Sequence, residues 1–197
     1  MILILFVVVF FLILYLALWM MSARRYAVEY GISFSHEHAQ SLGLDWRETY
    51  TAMLSELSPK YIRLSATWSE AEAMQDSYNF EGVDWRMNEA EKYGAKVVLV
   101  VGQKAPRWPE CHVPQWAGLL SEQEYEKELL IYIRHIVERY ANNPALEYWQ
   151  VENEPFIRFR FGECENFRQD LVEKEIALVR ELDSSHKILV TDSGELS

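Results

Sequence analysis

The chain opens on an unbroken apolar run, Ile2 to Met21, that contains no charged residue. About 20 apolar residues cross a bilayer core as a helix. A run so rich in Val, Ile, Phe and Leu is too apolar for a helix that faces water. The competing reading is a cleaved signal peptide, with a basic start, an apolar core of roughly 7–15 residues and a small-residue cleavage site. This run is longer, nothing basic precedes it, and it lacks a clean small-x-small site. Residues 1–25 therefore read as an uncleaved, single-pass membrane anchor. Arg24 and Arg25 follow the span, and the positive-inside rule then puts the rest of the chain in the cytoplasm. The chemistry below suits an extracytoplasmic domain better, and that is the orientation expected.

Past Arg25 the pattern alternates short apolar runs with longer amphipathic ones. Tyr26 to Phe34 reads as a first strand. Leu44 to Leu57 carries an apolar stripe at Leu44, Tyr50, Met53, Leu54 and Leu57, which predicts a helix. Asp45 is its N-cap candidate and Glu48 the capping-box partner. Lys60 to Ala66 is a second strand. Asp84 to Tyr93 is a short helix closed by Gly94. Lys96 to Val101 is a third strand, apolar on both faces as a covered parallel strand should be. Ser121 to Tyr140 is a long helix with a Ser-Glu-Gln-Glu capping box. Glu147 to Glu152 is a fourth strand, Phe167 to Leu182 a helix, and Lys187 to Thr191 a fifth strand.

Such alternation predicts an α/β fold with a parallel sheet. The longer loops follow the second, third and fourth strands, as in a (β/α)8 TIM barrel with its site at the carboxyl-terminal face. A doubly wound open sheet is the alternative. It usually brings a Gly-rich phosphate turn after the first strand, and Gly31-Ile-Ser-Phe-Ser is not one. The fourth strand ends in Asn153-Glu154-Pro155. Period-two alternation puts Gln150, Glu152 and Glu154 on one face. Pro155 disfavours helix before it, so the strand is expected to run to Glu154 and leave that carboxylate at its carboxyl end.

Composition narrows the function. Half of the 197 residues are hydrophobic, which excludes disorder. A net charge of −11 disfavours nucleic acid and anionic membrane surfaces as partners. Seven Trp and eleven Tyr offer flat faces for sugar rings, although most such residues are core.

With these residues together, positions 26–197 resemble the retaining glycoside hydrolases of the cellulase-like barrel superfamily (clan A), nearest to family five. Tyr61-Ile62-Arg63-Leu64 with Trp68 and Glu72 is similar to that group's second strand and its loop. Tyr78-Asn79-Phe80 and Val83-Asp84-Trp85 are similar to the lead into its second helix, and Trp149 to Pro155 to its fourth strand. The resemblance implies a barrel of which about five strands are present, truncated at the carboxyl end. It implies hydrolysis of O-glycosidic bonds in an oligo- or polysaccharide, without cofactor or metal. Glu154 is the implied general acid/base, Asn153 the partner of the sugar 2-hydroxyl, and Arg63 the partner of the nucleophile. That nucleophile is a Glu ending a seventh strand, beyond Ser197. The sequence departs from family five after the third strand, where many members have His and this chain has Gly102-Gln103-Lys104. A non-catalytic sugar-binding protein on a partial barrel is the alternative.

Other residues carry smaller expectations. Trp68 and Trp108, in strand-following loops, are candidate sugar platforms, whereas Trp46, Trp85 and Trp116 are expected to pack helices. Glu152 is expected to partner Arg63 or a Lys. Glu29 carries the same ambiguity between structure and catalysis, and Asp192 and Glu195 could line the cleft. His36-Glu37-His38 lacks helical zinc spacing and reads as solvated loop. Cys111 and Cys164 fall in loops that are neighbours on one barrel face. A disulfide between them would brace the rim and mark an oxidising compartment, with free thiols as the alternative.

Overall fold

Side-chain caps fix the starts of the helices that open at His36, Trp46 and Glu122. The computed structural model describes residues 2–22, 28–107, 109–157, 162 and 168–192. The helices are α1 (Ile2–Ser22), α2 (His36–Ser41), α3 (Trp46–Leu57), α4 (Trp68–Ala71), α5 (Glu81–Lys92), α6 (Glu122–Tyr140) and α7 (Gln169–Leu182). The strands are β1 (Gly31–Ser33), β2 (Tyr61–Ser65), β3 (Lys96–Val101), β4 (Leu146–Val151) and β5 (Lys187–Leu189). Asp45 caps α3 by accepting from the N–H groups of Arg47 and Glu48. Ser121 and Glu124 close a reciprocal capping box on α6. Asn79 accepts from Glu81 N, so α5 begins three residues before the position expected. Helices α2 and α4 are too short to show a period, and the sequence pattern missed both.

The five strands form one parallel sheet in chain order, β1-β2-β3-β4-β5. Helices join neighbouring strands, as parallel pairing requires. Burial alternates as a half-covered strand dictates: Ile62 and Leu64 of β2 are buried, while Tyr61, Arg63 and Ser65 are partly open. With Val97, Leu99, Val101, Trp149 and Val151 they form the core that the helices cover, through Tyr50, Leu54, Met87, Leu129, Ile133, Ile136 and Val179. Val98 and Val100 lie on the other face, so β3 is apolar on both sides, as expected.

Register decides what shares the second face. Ser33 pairs with Arg63, Arg63 with Val98, and Val98 with Tyr148. One layer further along, Ser65 pairs with Val100 and Val100 with Gln150. The β3–β4 pairing slips by one residue between Val97 and Val98, leaving Glu147 as a bulge. Arg63 and Gln150 thereby occupy successive layers of one face. Helix α1 stands apart: 21 residues without a charge, none of its apolar window buried. At about 1.5 Å per residue it spans roughly 31 Å, the thickness of a bilayer core.

Candidate active site

The carboxyl end of β4 departs from the expected geometry. The strand stops at Val151, not at Glu154. Glu152 and Glu154 both adopt left-handed backbone, with φ of 59° and 49°. Period-two alternation therefore ends at Val151, and the two acids do not stand in one column. The cause is visible in what Glu152 bonds. Its carboxylate turns back to accept the N–H groups of Gln103 at 2.8 Å and Lys104 at 2.6 Å. Glu152 is fully buried, and its partners are that loop and Glu175 of α7, not Arg63.

Asn153 and Glu154 are held by their backbones and neighbours. Asn153 N donates to Lys104 O at 2.8 Å, and Glu154 N donates to Thr191 Oγ1 at 3.0 Å. Lys104 Nζ returns to Glu154 O at 3.2 Å. The Asn153 amide is buried, donates to Glu110 Oε2 at 3.3 Å, and lies 3.4 Å from Gln150 Nε2. The Glu154 side chain is half-buried, and its charge acts on Arg63. Arg63 donates to Ser33 Oγ at 2.9 Å and, at 3.5 Å, to Gln150 Oε1. Burial lowers its guanidinium pKa, and Glu154 and Glu110 pull against that. Among the described residues Arg63 has no carboxylate within salt-bridge distance. A small cavity beside it is lined by Ser33, Phe34, Ser35, Ser65, Pro106 and Arg107.

Two expectations fail on burial and contact. Trp68 is fully buried. It stacks on Tyr132, meets Trp116 and Tyr125 edge to face, and gives its indole N–H to Glu72 Oε2 at 2.9 Å. A sugar ring has no face of it to reach, so Trp68 is core and not a platform. The His36-Glu37-His38 run is the start of α2, and only His38 is exposed. Glu37 meets His112 Nδ1 at 2.7 Å, and His36 lies 3.5 Å from Glu70, which also pairs with Arg86. Burial, with Arg86 nearby, lowers the His36 pKa to about 4 and keeps the ring neutral. Burial works against the Glu37 charge, but the hydrogen bond and charge of His112, with His36 and Thr67 beside it, together outweigh burial and hold that carboxylate below its ordinary range. His36 and Glu37 belong to a partly buried polar cluster at the ends of β1 and β2, while His38 faces water.

Other expected residues find plain places. Trp46 and Trp85 meet edge to face at 5.2 Å between helices, and Trp116 donates to Glu72 O at 3.0 Å. Glu29 pairs with Lys60 before β1, at the opposite end of the sheet from Glu154. Asp192 is exposed. Cys111 is disulfide-bonded. Trp108, Cys164 and Glu195 lie outside the described residues. Glu110, Lys104, Thr191, His112 and Glu175 were not singled out in the sequence. Glu175 alone had a signal, an acid on the apolar stripe of α7.

No family model matches the chain. A probable mannan endo-1,4-beta-mannosidase A-2 of Aspergillus terreus is 24% identical over 123 residues, 57% of this chain and 29% of that protein. Endo-glycoceramidase II from Rhodococcus sp. superposes over 83% of this chain and 49% of its own, with a TM-score of 0.60 and 15% identity. Xylanase 10B from Thermotoga petrophila RKU-1 superposes over 86% of this chain and 54% of its own, with a TM-score of 0.62 and 16% identity. The chain thus spans under a third of the curated relative and about half of each solved structure. What the chain shares with these two solved structures is the (β/α)8-barrel fold, five of whose strands the described residues supply.

Proposed function

We propose that the chain is part of a retaining glycoside hydrolase that cleaves O-glycosidic bonds of an oligo- or polysaccharide, with Glu154 as general acid/base. The supporting observation is the turn Glu152–Glu154 at the carboxyl end of β4. Two non-glycine residues hold left-handed backbone there, fixed by Lys104 and Thr191. Conformations of this kind persist only where their surroundings impose them, and they cluster at functional sites. Barrel strands present catalytic groups at this end.

In this reading Glu154 gives its proton to the glycosidic oxygen as the bond to the anomeric carbon breaks. A second carboxylate, roughly 5–5.5 Å away, forms the glycosyl-enzyme. Glu154 then takes a proton from the water that releases the sugar. Asn153 meets the 2-hydroxyl beside the reacting carbon, with Glu110 and Gln150 setting its amide. Arg63 keeps the nucleophile ionised, and that nucleophile comes from a strand other than the five described. Cys111 and Cys164 brace the rim, and α1 anchors the domain to a membrane, on its outer side.

The test is Glu154→Ala in the protein that carries this domain. Hydrolysis of natural linkages should fall by at least about 100-fold, because poor leaving groups need the proton. Activated aryl glycosides should still form the glycosyl-enzyme, and azide should restore their turnover as the glycosyl azide of retained configuration. Unchanged hydrolysis of natural linkages by the variant removes Glu154 from the mechanism.

A further inference from the structure

Helix α7 buries Leu171, Val172, Glu175 and Val179, so one acid sits on its apolar face. Glu175 and Glu152 are both fully out of water. Among the described residues no N–H or O–H reaches either Glu175 oxygen. The carboxyl of Glu152 is what faces it. Two bare carboxylates cannot share a buried site, and like charge forces one to keep its proton. Glu152 accepts two backbone N–H groups, which favour its charged form, and Glu175 has no such donor. The proton therefore sits on Glu175 and is donated to Glu152. Gly102 makes the approach possible: its φ is 111°, and a Cβ there would run into Glu152 Oε1.

We propose that Glu152 and Glu175 share one proton, and that this protonated pair positions the loop after β3 against the Asn153–Glu154 turn. The linkage is short. Glu152 holds Lys104 N, Lys104 O accepts from Asn153 N, and Lys104 Nζ donates to Glu154 O. The titratable groups facing the pair are Lys104 from the β3 loop and Tyr125 and Tyr132 from α6. Burial raises both tyrosines, with Glu152 adding to it, so they stay neutral and Lys104 is the one cation among these groups. Burial raises both carboxyls, and Glu152 raises Glu175 further. Losing the shared proton would put a second negative charge where no donor waits for it. Calling Glu154 the group positioned for catalysis rests on the glycosidase reading; the shared proton does not.

The sign of the pH effect follows. A carboxyl raised in the folded state contributes its stability in full below the unfolded value, 4.5, and loses it as pH rises through the folded value. For each proton held only by the folded state, the folding constant drops up to tenfold per pH unit. The experiment uses the full chain in detergent micelles, carrying carboxyl-labelled glutamate and 15N. At neutral pH the infrared spectrum should show a protonated-carboxyl stretch that resists exchange and is missing from Glu175→Gln. The Gln103, Lys104 and Asn153 amide shifts should titrate together in the parent and stay still in Glu175→Gln, whose amide donates without titrating. Its folding constant should lose one proton's worth of pH dependence. A parent without that stretch overturns the proposal, as does a Glu175→Gln variant with the parent's pH slope. If the variant does not fold, the parent's stretch and amide titration decide. A parent that shows both yet cleaves no glycoside supports the pair and counts against Glu154 as acid/base.

Discussion

Trp68 shows how burial reassigns a residue. Its position after a barrel strand suits a sugar platform, yet Tyr132, Trp116 and Tyr125 cover it and leave no face open. Truncating a buried aromatic costs about 3–5 kcal/mol. Trp68→Ala should therefore lower the urea midpoint by that equivalent, while Trp68→Phe should cost less. A variant that keeps its stability and loses only sugar affinity would restore the platform role. Glu175 carried a signal that the sequence analysis passed over, since an acid at the centre of an apolar stripe needs a partner. Glu110 and His112 were not: they lie in a Pro-flanked loop with no period, and only the folded chain brings Glu110 to Asn153 and His112 to Glu37.

Among the elements, a capped helix with a long period and an uninterrupted apolar strand match their sequence patterns almost to the residue. Helix α6 and strand β3 stand where Ser-Glu-Gln-Glu and Lys-Val-Val-Leu-Val-Val put them. The end of β4 was read three residues too long, since alternation cannot show a carboxylate turning back to cap the neighbouring loop. Helix α1 is long and apolar enough to cross a membrane, a test that a signal sequence also passes. As an anchor it should keep the protein in the membrane fraction after carbonate washing. Protease added outside intact cells should then reach the domain. Release by carbonate removes the anchor, and protection until lysis reverses the orientation.

Across the whole molecule, buried ionisable groups give stability a pH optimum. His36 is lowered to about 4 by burial and Arg86, so its contribution is complete above the ordinary value of 6.5 and fades as pH falls toward 4. Burial raises Asp183, but hydrogen bonds from Ser185, Trp149 and His186 outweigh it and hold the carboxyl well below 3.8. That contribution is complete above 3.8 and fades as pH falls further. Glu152 and Glu175, with one proton shared between them, act in the opposite sense and count once, from 4.5 upward. Unfolding free energy should thus climb to about pH 4.5, change little up to 6.5 where His36 opposes the pair, and decline above it. Urea unfolding at stepped pH measures this, and a maximum above neutrality contradicts it.

The sequence alone determined the alternation of strands and helices, the apolar leading helix and that Asn-Glu-Pro follows the apolar run of the fourth strand. Each is a local property: a period, a cap or a proline acts within a few residues, and no distant contact is needed to read it. Tertiary structure decided which side chains meet. Register put Arg63 and Gln150 on one face. Packing closed Trp68 into the core and set Glu175 against Glu152. These contacts join residues up to 87 positions apart, and they depend on layer and depth, which a one-dimensional pattern does not carry.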